Sequence, residues 1–314
     1  SIADVMKNYL GIDLGGTNTK IGIGTMDGQL YHKGSVETRS ELGPQAWVDR
    51  VVELVKSWNA GFEAVGVGSP GPLDTSKGVI ISSPNLKPFI GFEMKPAFER
   101  ALGRTVRFEN DANCAALGEY HFGAHKGDAN TVVITLGTGV GSGIIAEGKL
   151  VRGHRGFATE LGHMVINFEG PQCGCGKRGC LEAYVGARKT IERYNQMSLR
   201  PDPNITMKEI FSRALHDPRE PANKHAAQIL DEWIHALAVG LANTMVIFNP
   251  GAIILSGGIT DAWTHIKPRL LAALEPMAEP YLRSSTLIEI SKLGQYFGVH
   301  GAIALAAEGV RQDS

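Results

Sequence analysis

The sequence predicts an α/β protein of two domains, and three observations carry that reading. A strand, glycine turn, strand, turn pattern opens the chain at "YLGIDLGGTNTKIGIGTMDGQL" and returns at "TVVITLGTGVGSGIIAEGKL", residues 131–150. Asp13-Leu14-Gly15-Gly16-Thr17 lines up with Thr135-Leu136-Gly137-Thr138-Gly139, 122 positions later, so the chain reads as two related halves. Around these hairpins, segments of helical period and short apolar runs follow one another, as in folds that lay helices on sheets.

Composition sets the background. A chain of 314 residues is long enough for two cores. It is 43% hydrophobic and 20% charged with a net charge of −1, which gives no electrostatic bias toward nucleic acid or anionic membrane. No apolar run approaches the ~20 residues that span a bilayer. The opening "SIADVMKNYLGIDLGG" carries Lys7 but no apolar stretch of a secretory signal, and four cysteines make no disulfide framework. The expected location is the cytoplasm.

Tyr9 to Ile12 and Lys20 to Gly24 read as strands around the turn Asp13 to Thr17, and Asp27-Gly28 closes a hairpin. A Walker loop or a Rossmann fingerprint would lead from its glycines into a helix, so neither fits. Plain β-hairpins also use glycine for positive φ. Placed across a cleft from each other, the two turns would instead grip the phosphates of one nucleotide with N–H groups and hydroxyls. Asp13, at a strand end, suits a Mg²⁺ ligand.

In "VRFENDANCAALGEYHFGA", Val106 to Phe108 form a strand and a helix begins near Ala112. Asn110 and Asp111 at the junction suit helix capping. Standing just before the second glycine hairpin, Asp111 also suits a base that takes a proton from a hydroxyl attacking phosphorus. Cys114 reads as a small core residue.

"ELGHMVINFEGPQCGCGKRGCLE" places three of the four cysteines within eight residues. A third Cys and an upstream His argue against a redox pair. His163, Cys173, Cys175 and Cys180 make the four-ligand set of structural zinc, with three reduced structural thiols as the other reading. Glu160 and Glu182 flank the set and suit a polyhydroxyl ligand, though either also reads as a solvated charge. His163 would use one ring nitrogen on the metal and offer the other to a hydroxyl.

Farther on, Ile229, Trp233, Leu237, Leu241 and Met245 mark a long helix that Asn249-Pro250-Gly251 stops. "AIILSGGI" is a buried strand whose Gly257-Gly258 end would let an adenosine approach the backbone. "MSLRPDPNITMKE" and "LHDPREPANKH" are expected to be loops. The last helix, "YFGVHGAIALAAEGV", is expected to pack back on the first domain. The domains are then 1–112 with 296–314, and 113–295.

Together with "GSPGP" at 68–72, "PNL" at 84–86, "ENDAN" at 109–113 and "LSGG" at 255–258, these motifs make nearly the whole chain resemble the ROK family of sugar kinases, most closely its bacterial glucokinases. The resemblance implies a two-domain actin-like ATPase (ribonuclease H-like) fold with an interdomain active-site cleft. It implies transfer of the ATP γ-phosphate to the 6-hydroxyl of glucose, with Mg²⁺ and one structural Zn²⁺. Asp111 would deprotonate that hydroxyl, and Asn110, Glu160, His163, Glu182, Gly71 and Asn85 would hold the sugar. Asp13, Gly15, Gly16, Thr17 and Lys20 would take phosphates and Mg²⁺ from one side, and Gly137, Thr138 and Gly139 from the other, with Gly257 and Gly258 against the adenosine. Relatives are commonly homodimers or tetramers. N-acetylglucosamine and N-acetylmannosamine kinases share nearly all these motifs and are the alternative, and polyphosphate is a donor compatible with the same turns. A sugar-responsive repressor would need a helix-turn-helix domain, for which the eight or so residues before the first strand are too few. The three cysteines argue against a ROK fructokinase. Where glucokinases often carry Trp after "PNL", this chain has Lys87-Pro88-Phe89.

Overall fold

A computed structural model describes residues 7–198, 200–217 and 219–313. The first six residues of the leader reading, and Leu199 and Pro218 of the two Pro-rich stretches, lie outside the described residues. The strands are β1 Tyr9–Leu14, β2 Asn18–Gly24, β3 Leu30–Glu37, β4 Val65–Ser69, β5 Leu73–Asp74, β6 Val79–Ile80, β7 Val106–Asn110, β8 Thr131–Leu136, β9 Val140–Ala146, β10 Lys149–Leu150, β11 Ala252–Gly257 and β12 Leu287–Ile290. The α-helices are α1 Pro44–Ser57, α2 Met94–Leu102, α3 Asp111–Phe122, α4 Leu181–Val185, α5 Ala187–Met197, α6 Met207–Ala214, α7 Pro221–Phe248, α8 Trp263–Leu274, α9 Pro280–Ser285 and α10 Phe297–Asp313.

The repeated hairpin leads to a repeated sheet. The first sheet has the order β3-β2-β1-β4-β7 and the second β10-β9-β8-β11-β12, beside a small β5-β6 ribbon. In the first, β1, β2 and β3 are antiparallel neighbours, while β1, β4 and β7 run parallel. In the second, β8, β11 and β12 run parallel. The chain folds into two compact units. One comprises the described parts of Ser1–Ala129, Gly143–Thr159 and Ser291–Ser314, the other Asn130–Ser142 and Glu160–Ile290.

One face of the first sheet is closed by α1 and α2. Trp47 is fully buried there, with Phe89 at 5.4 Å and Phe98 edge-on at 5.3 Å between ring centroids. On α10, Val299, Ile303, Ala306 and Ala307 cluster with Tyr9 and Ala64. Glycine allows this helix to come close. A Cβ at Gly66 would lie 1.8 Å from Ala302 O, and one at Gly301 the same distance from Cys114 O. The second contact explains why α3 belongs to the first unit, although the sequence reading ends that domain at residue 112: α3 packs directly on α10.

In the second unit the five apolar residues that mark α7 are all buried. Trp233 Nε1 donates to Val185 O at 3.0 Å, and Gly240 leaves room for the Leu181 side chain, so α7 backs α4. Two sequence expectations need correction. The stretch read as a loop to Glu209 contains the start of α6, where Thr206 and Glu209 form a capping box. The second stretch contains the start of α7, because Pro221 sits at the first helical position, where its fixed φ is helical and its missing N–H is not needed. Among the described residues no helix is long and apolar enough to cross a membrane.

Candidate active site

The carboxyl ends of parallel strands collect the polar residues of the first unit. In the register of β1, β4 and β7, Asp13 stands level with Gly68, and Ser69 with Asn110. Asn110 caps α3: its Oδ1 accepts from the amides of Ala112 at 2.9 Å and Asn113 at 3.3 Å. Its Nδ2 lies 3.5 Å from Gly71 O. The Asn110 oxygen is therefore committed to backbone amides, which leaves Nδ2 as the group that could face a ligand. Asp111 is the first residue of α3, with Oδ1 at 2.8 Å from the Ala112 amide, where the helix dipole favours a negative charge. Gly71 has φ 84°, and a Cβ there would lie 2.4 Å from Ser82 O. Asn85 is exposed beside Gly16. Phe89, in the segment that replaces the family's Trp, is buried against Trp47 and faces the core.

Burial pushes the Asp13 carboxyl up to about 6, and the ammonium of Lys20, its cross-strand neighbour, pulls the other way. A Cβ at Gly298, at the start of α10, would lie 2.4 Å from Asp13 Oδ2, so glycine makes room for this carboxylate. A carboxylate whose charge burial disfavours fits a divalent cation, which would compensate it. Lys20 Nζ is anchored on Gln295 O at 2.7 Å, not on the turn. The turn itself is braced from the core. Trp47 Nε1 donates to Thr19 Oγ1 at 2.8 Å, the Thr19 and Thr38 hydroxyls meet at 3.1 Å, and Thr38 donates to Gly15 O at 2.7 Å. Gly16 and Thr17 are exposed at its tip.

The second unit brings its two glycine turns together. Gly257 pairs with Leu136 across β11 and β8, has φ 103°, and would place a Cβ 2.1 Å from Leu136 O. Gly258 donates its amide to the same carbonyl at 3.2 Å. Gly137, Thr138 and Gly139 thus neighbour Gly257 and Gly258 at the carboxyl edge of a parallel strand pair, where α/β sheets bind ligands.

His163 ends a short 3₁₀ turn, Leu161–His163, whose preceding residue is the exposed Glu160. His163 Nδ1 lies 3.8 Å from Cys173 Sγ, and Cys175 and Cys180 Sγ lie 3.7 Å apart. One donor atom from each of the four falls within 4.8 Å of the others. A tetrahedron of ~2.3 Å metal–sulfur bonds has edges of ~3.8 Å, so the set fits a four-ligand ion. All the cysteines are free thiols. Burial, followed by the neighbouring thiols of Cys175 and Cys173, pushes Cys180 up to about 12, and burial raises Cys173 as well. As thiolates, three sulfurs this close would need a cation between them. The loop closes over Gly179, where φ is 71° and a Cβ would fall on Asn167 O at 1.5 Å. Glu182 faces inward, with Oε2 accepting the Val140 amide at 2.9 Å.

Sequence reasoning missed Glu109 and Arg152. Glu109 precedes the capping Asn110 and accepts its backbone amide and the Asn113 side-chain amide, both at 2.9 Å. Only its place in "ENDAN" hinted at this. Arg152 reaches it from the segment after β10, a pairing without a sequence signal.

The ROK family pattern matches residues 9–309. The chain belongs to the ROK family. A glucokinase of Thermotoga maritima is 33% identical over 300 residues, 89% of this chain and 94% of that protein. An N-acetyl-D-glucosamine kinase of Mannheimia succiniciproducens is 31% identical over 315 residues, 94% of this chain and 98% of that protein. Among solved structures, the ROK hexokinase of Thermus thermophilus superposes with a TM-score of 0.84 at 33% identity, covering 97% of this chain and 99% of its own. The ROK family glucokinase of Streptomyces griseus, crystallised with glucose and AMPPNP, gives 0.76 at 30% identity, covering 96% and 100%. This ROK protein therefore has the actin-like ATPase fold and is an ATP-dependent hexose kinase.

Proposed function

We propose that this ROK kinase phosphorylates glucose at its 6-hydroxyl, with Asp111 as general base. The observation that carries the reading is the register of the first sheet, in which Asp13 stands level with Gly68 and Glu109, so that Asp111, two residues beyond Glu109, follows at the same carboxyl edge. Asp111 takes the proton of the 6-hydroxyl as O6 bonds to the γ-phosphorus, the bond to the β-phosphate oxygen breaks, and ADP leaves. Bound Mg²⁺ would neutralise charge on the phosphates. Asp13 would hold it, with Gly15, Gly16 and Thr17 presenting the phosphate-facing turn and Lys20 supplying positive charge behind it. Gly137, Thr138 and Gly139 would cradle phosphate oxygens, and Gly257 and Gly258 would lie against the adenosine.

Sugar hydroxyls would be met by Asn110 Nδ2, Glu160, Glu182 Oε1 and His163 Nε2, with Gly71 and Asn85 beside them. We assign the ion held by His163 Nδ1, Cys173, Cys175 and Cys180 as structural zinc, since four protein ligands leave no open position for substrate. Four free thiols support a reducing compartment, the cytoplasm. The family resemblance supports a homodimer or tetramer, which sedimentation reads directly.

The test is ATP consumption over glucose, mannose, fructose, N-acetylglucosamine and N-acetylmannosamine, repeated with polyphosphate as donor. The expected result is the highest kcat/KM with glucose and ATP. Preference for an N-acetyl sugar would overturn the glucose assignment, and sugar binding without turnover would overturn the kinase mechanism.

A further inference from the structure

The second glycine turn is held from behind by the segment that carries the thiols. Glu182 Oε2 accepts the amide of Val140, the residue that ends the turn, at 2.9 Å. Ala187 donates its amide to Gly137 O at 2.9 Å, and Arg188 donates to Thr138 O at 3.2 Å. Those two amides belong to the first turn of α5, where helix N–H groups have no partner inside their own helix. The turn's carbonyls therefore cap α5, and α5 in return fixes the turn. The fit leaves no slack: a Cβ at Gly139 would lie 2.4 Å from Glu182 Oε2, and one at Gly186 would lie 3.3 Å from Thr138 O.

The same glutamate reaches the thiol cluster. Glu182 Oε1 lies 3.9 Å from Cys173 Sγ, and Cys180 is the residue from which α4, carrying Glu182, starts. One carboxylate thus has one oxygen against a metal ligand and the other on the turn. We infer that Glu182 is a positioning residue that couples metal occupancy at His163, Cys173, Cys175 and Cys180 to the shape of the 136–140 turn, and through it to nucleotide affinity. The nucleotide half rests on the reading of this turn as a phosphate cradle. With the metal in place, Cys173 and Cys180 are fixed, α4 is fixed, and Glu182 holds the buried Val140 amide. Without it, the two oxygens of Glu182 lose their common frame, and the turn loosens.

The experiment compares the zinc-loaded protein, the chelator-stripped protein, Glu182→Ala and Glu182→Gln, all without sugar. Two quantities are read: amide hydrogen exchange across residues 136–141, and AMPPNP affinity by calorimetry. Stripping the metal and Glu182→Ala should each speed exchange and weaken AMPPNP by about tenfold, the scale of one lost hydrogen bond. Zinc added back to the stripped wild type should restore both. Glu182→Gln keeps an acceptor for Val140 and should stay within about twofold of wild type in both readouts, whereas a purely sugar-binding role would leave the Ala variant unchanged as well. In stripped protein Glu182→Ala should add nothing further. Unchanged exchange at the turn in both the stripped protein and the Ala variant would overturn the coupling. Faster exchange with unchanged AMPPNP affinity would overturn the phosphate reading of the turn instead. The stripped wild type keeps the test decisive where the Ala variant does not fold.

Discussion

Arg152 Nε meets Glu109 Oε2 at 2.7 Å, and that carboxylate is 2% exposed while the Arg152 side chain is 43% exposed. The pair is unequal. Glu109 also serves the Asn110 amide and Asn113 Nδ2, so its removal strands buried donors directly behind the proposed base. Glu109→Ala should cost about 1–3 kcal/mol for each buried donor it strands, whereas Arg152→Met, losing a half-exposed partner while the carboxylate keeps both amide donors, should cost less. Urea unfolding of the two variants checks this, and equal losses would show that the buried carboxylate is not the centre of the network.

Asp111→Ala should lower kcat by about 10²–10⁴-fold, the usual contribution of a general base. The fold should survive, because Asn110 supplies the helix cap through Oδ1. Steady-state kinetics beside a thermal melt separate the two. Near-normal turnover in a folded variant would remove Asp111 from the mechanism.

The pH dependence of stability should carry a signature of Asp13. Its folded-state value, about 6, lies above the ordinary 3.8 because burial disfavours the charge. The carboxyl therefore adds stability that is fully present below pH ~4 and is lost as pH rises through about 6. Asp13→Asn should be closest to wild type at pH 4 and gain on it above pH 6, by no more than about 3 kcal/mol. Unfolding curves at pH 4.5 and 8 read the difference, and an identical gap at both values would contradict it.

Cys175→Ala should release the metal and lower the melting temperature, since ligands from Cys173 to Cys180 close one loop and metal binding is coupled to folding. Metal content by mass spectrometry, with melts before and after chelation, tests it. A metal-free wild type of equal stability would contradict the assignment.

Gly301→Ala should destabilise by about 1–3 kcal/mol, as overpacking does, because its Cβ would fall 1.8 Å from Cys114 O. Gly294→Ala is the contrast for crowding: no atom lies within 4 Å of its Cβ position, although its φ of 66° makes it strained. A Gly301→Ala protein as stable as wild type would show that α3 and α10 can part without loss.

The hairpins, the long α7, the strand ending in Gly257-Gly258 and the thiol cluster were all legible, because each is a local pattern of period, turn residue or ligand spacing. Nonlocal pairings were not. Nothing in the chain announces that Arg152 answers Glu109 across 43 positions, or that Glu182, read as a carboxylate for sugar, gives one oxygen to Val140. Pro221 illustrates another limit: proline marks a loop or a first helical turn equally well, and the sequence reading took the loop. The domain boundary failed for the same reason as the ion pair, since only the meeting of Gly301 with Cys114 shows where α3 belongs.

The placement of α10 has a consequence for biosynthesis. The unit that begins the chain keeps part of its interior in its final segment, where Val299, Ile303, Ala306 and Ala307 cover Tyr9 and Ala64. Its N-terminal strands are synthesised long before that cover exists. Until residues 297–313 have followed, they must wait with an open apolar face, a surface for chaperones.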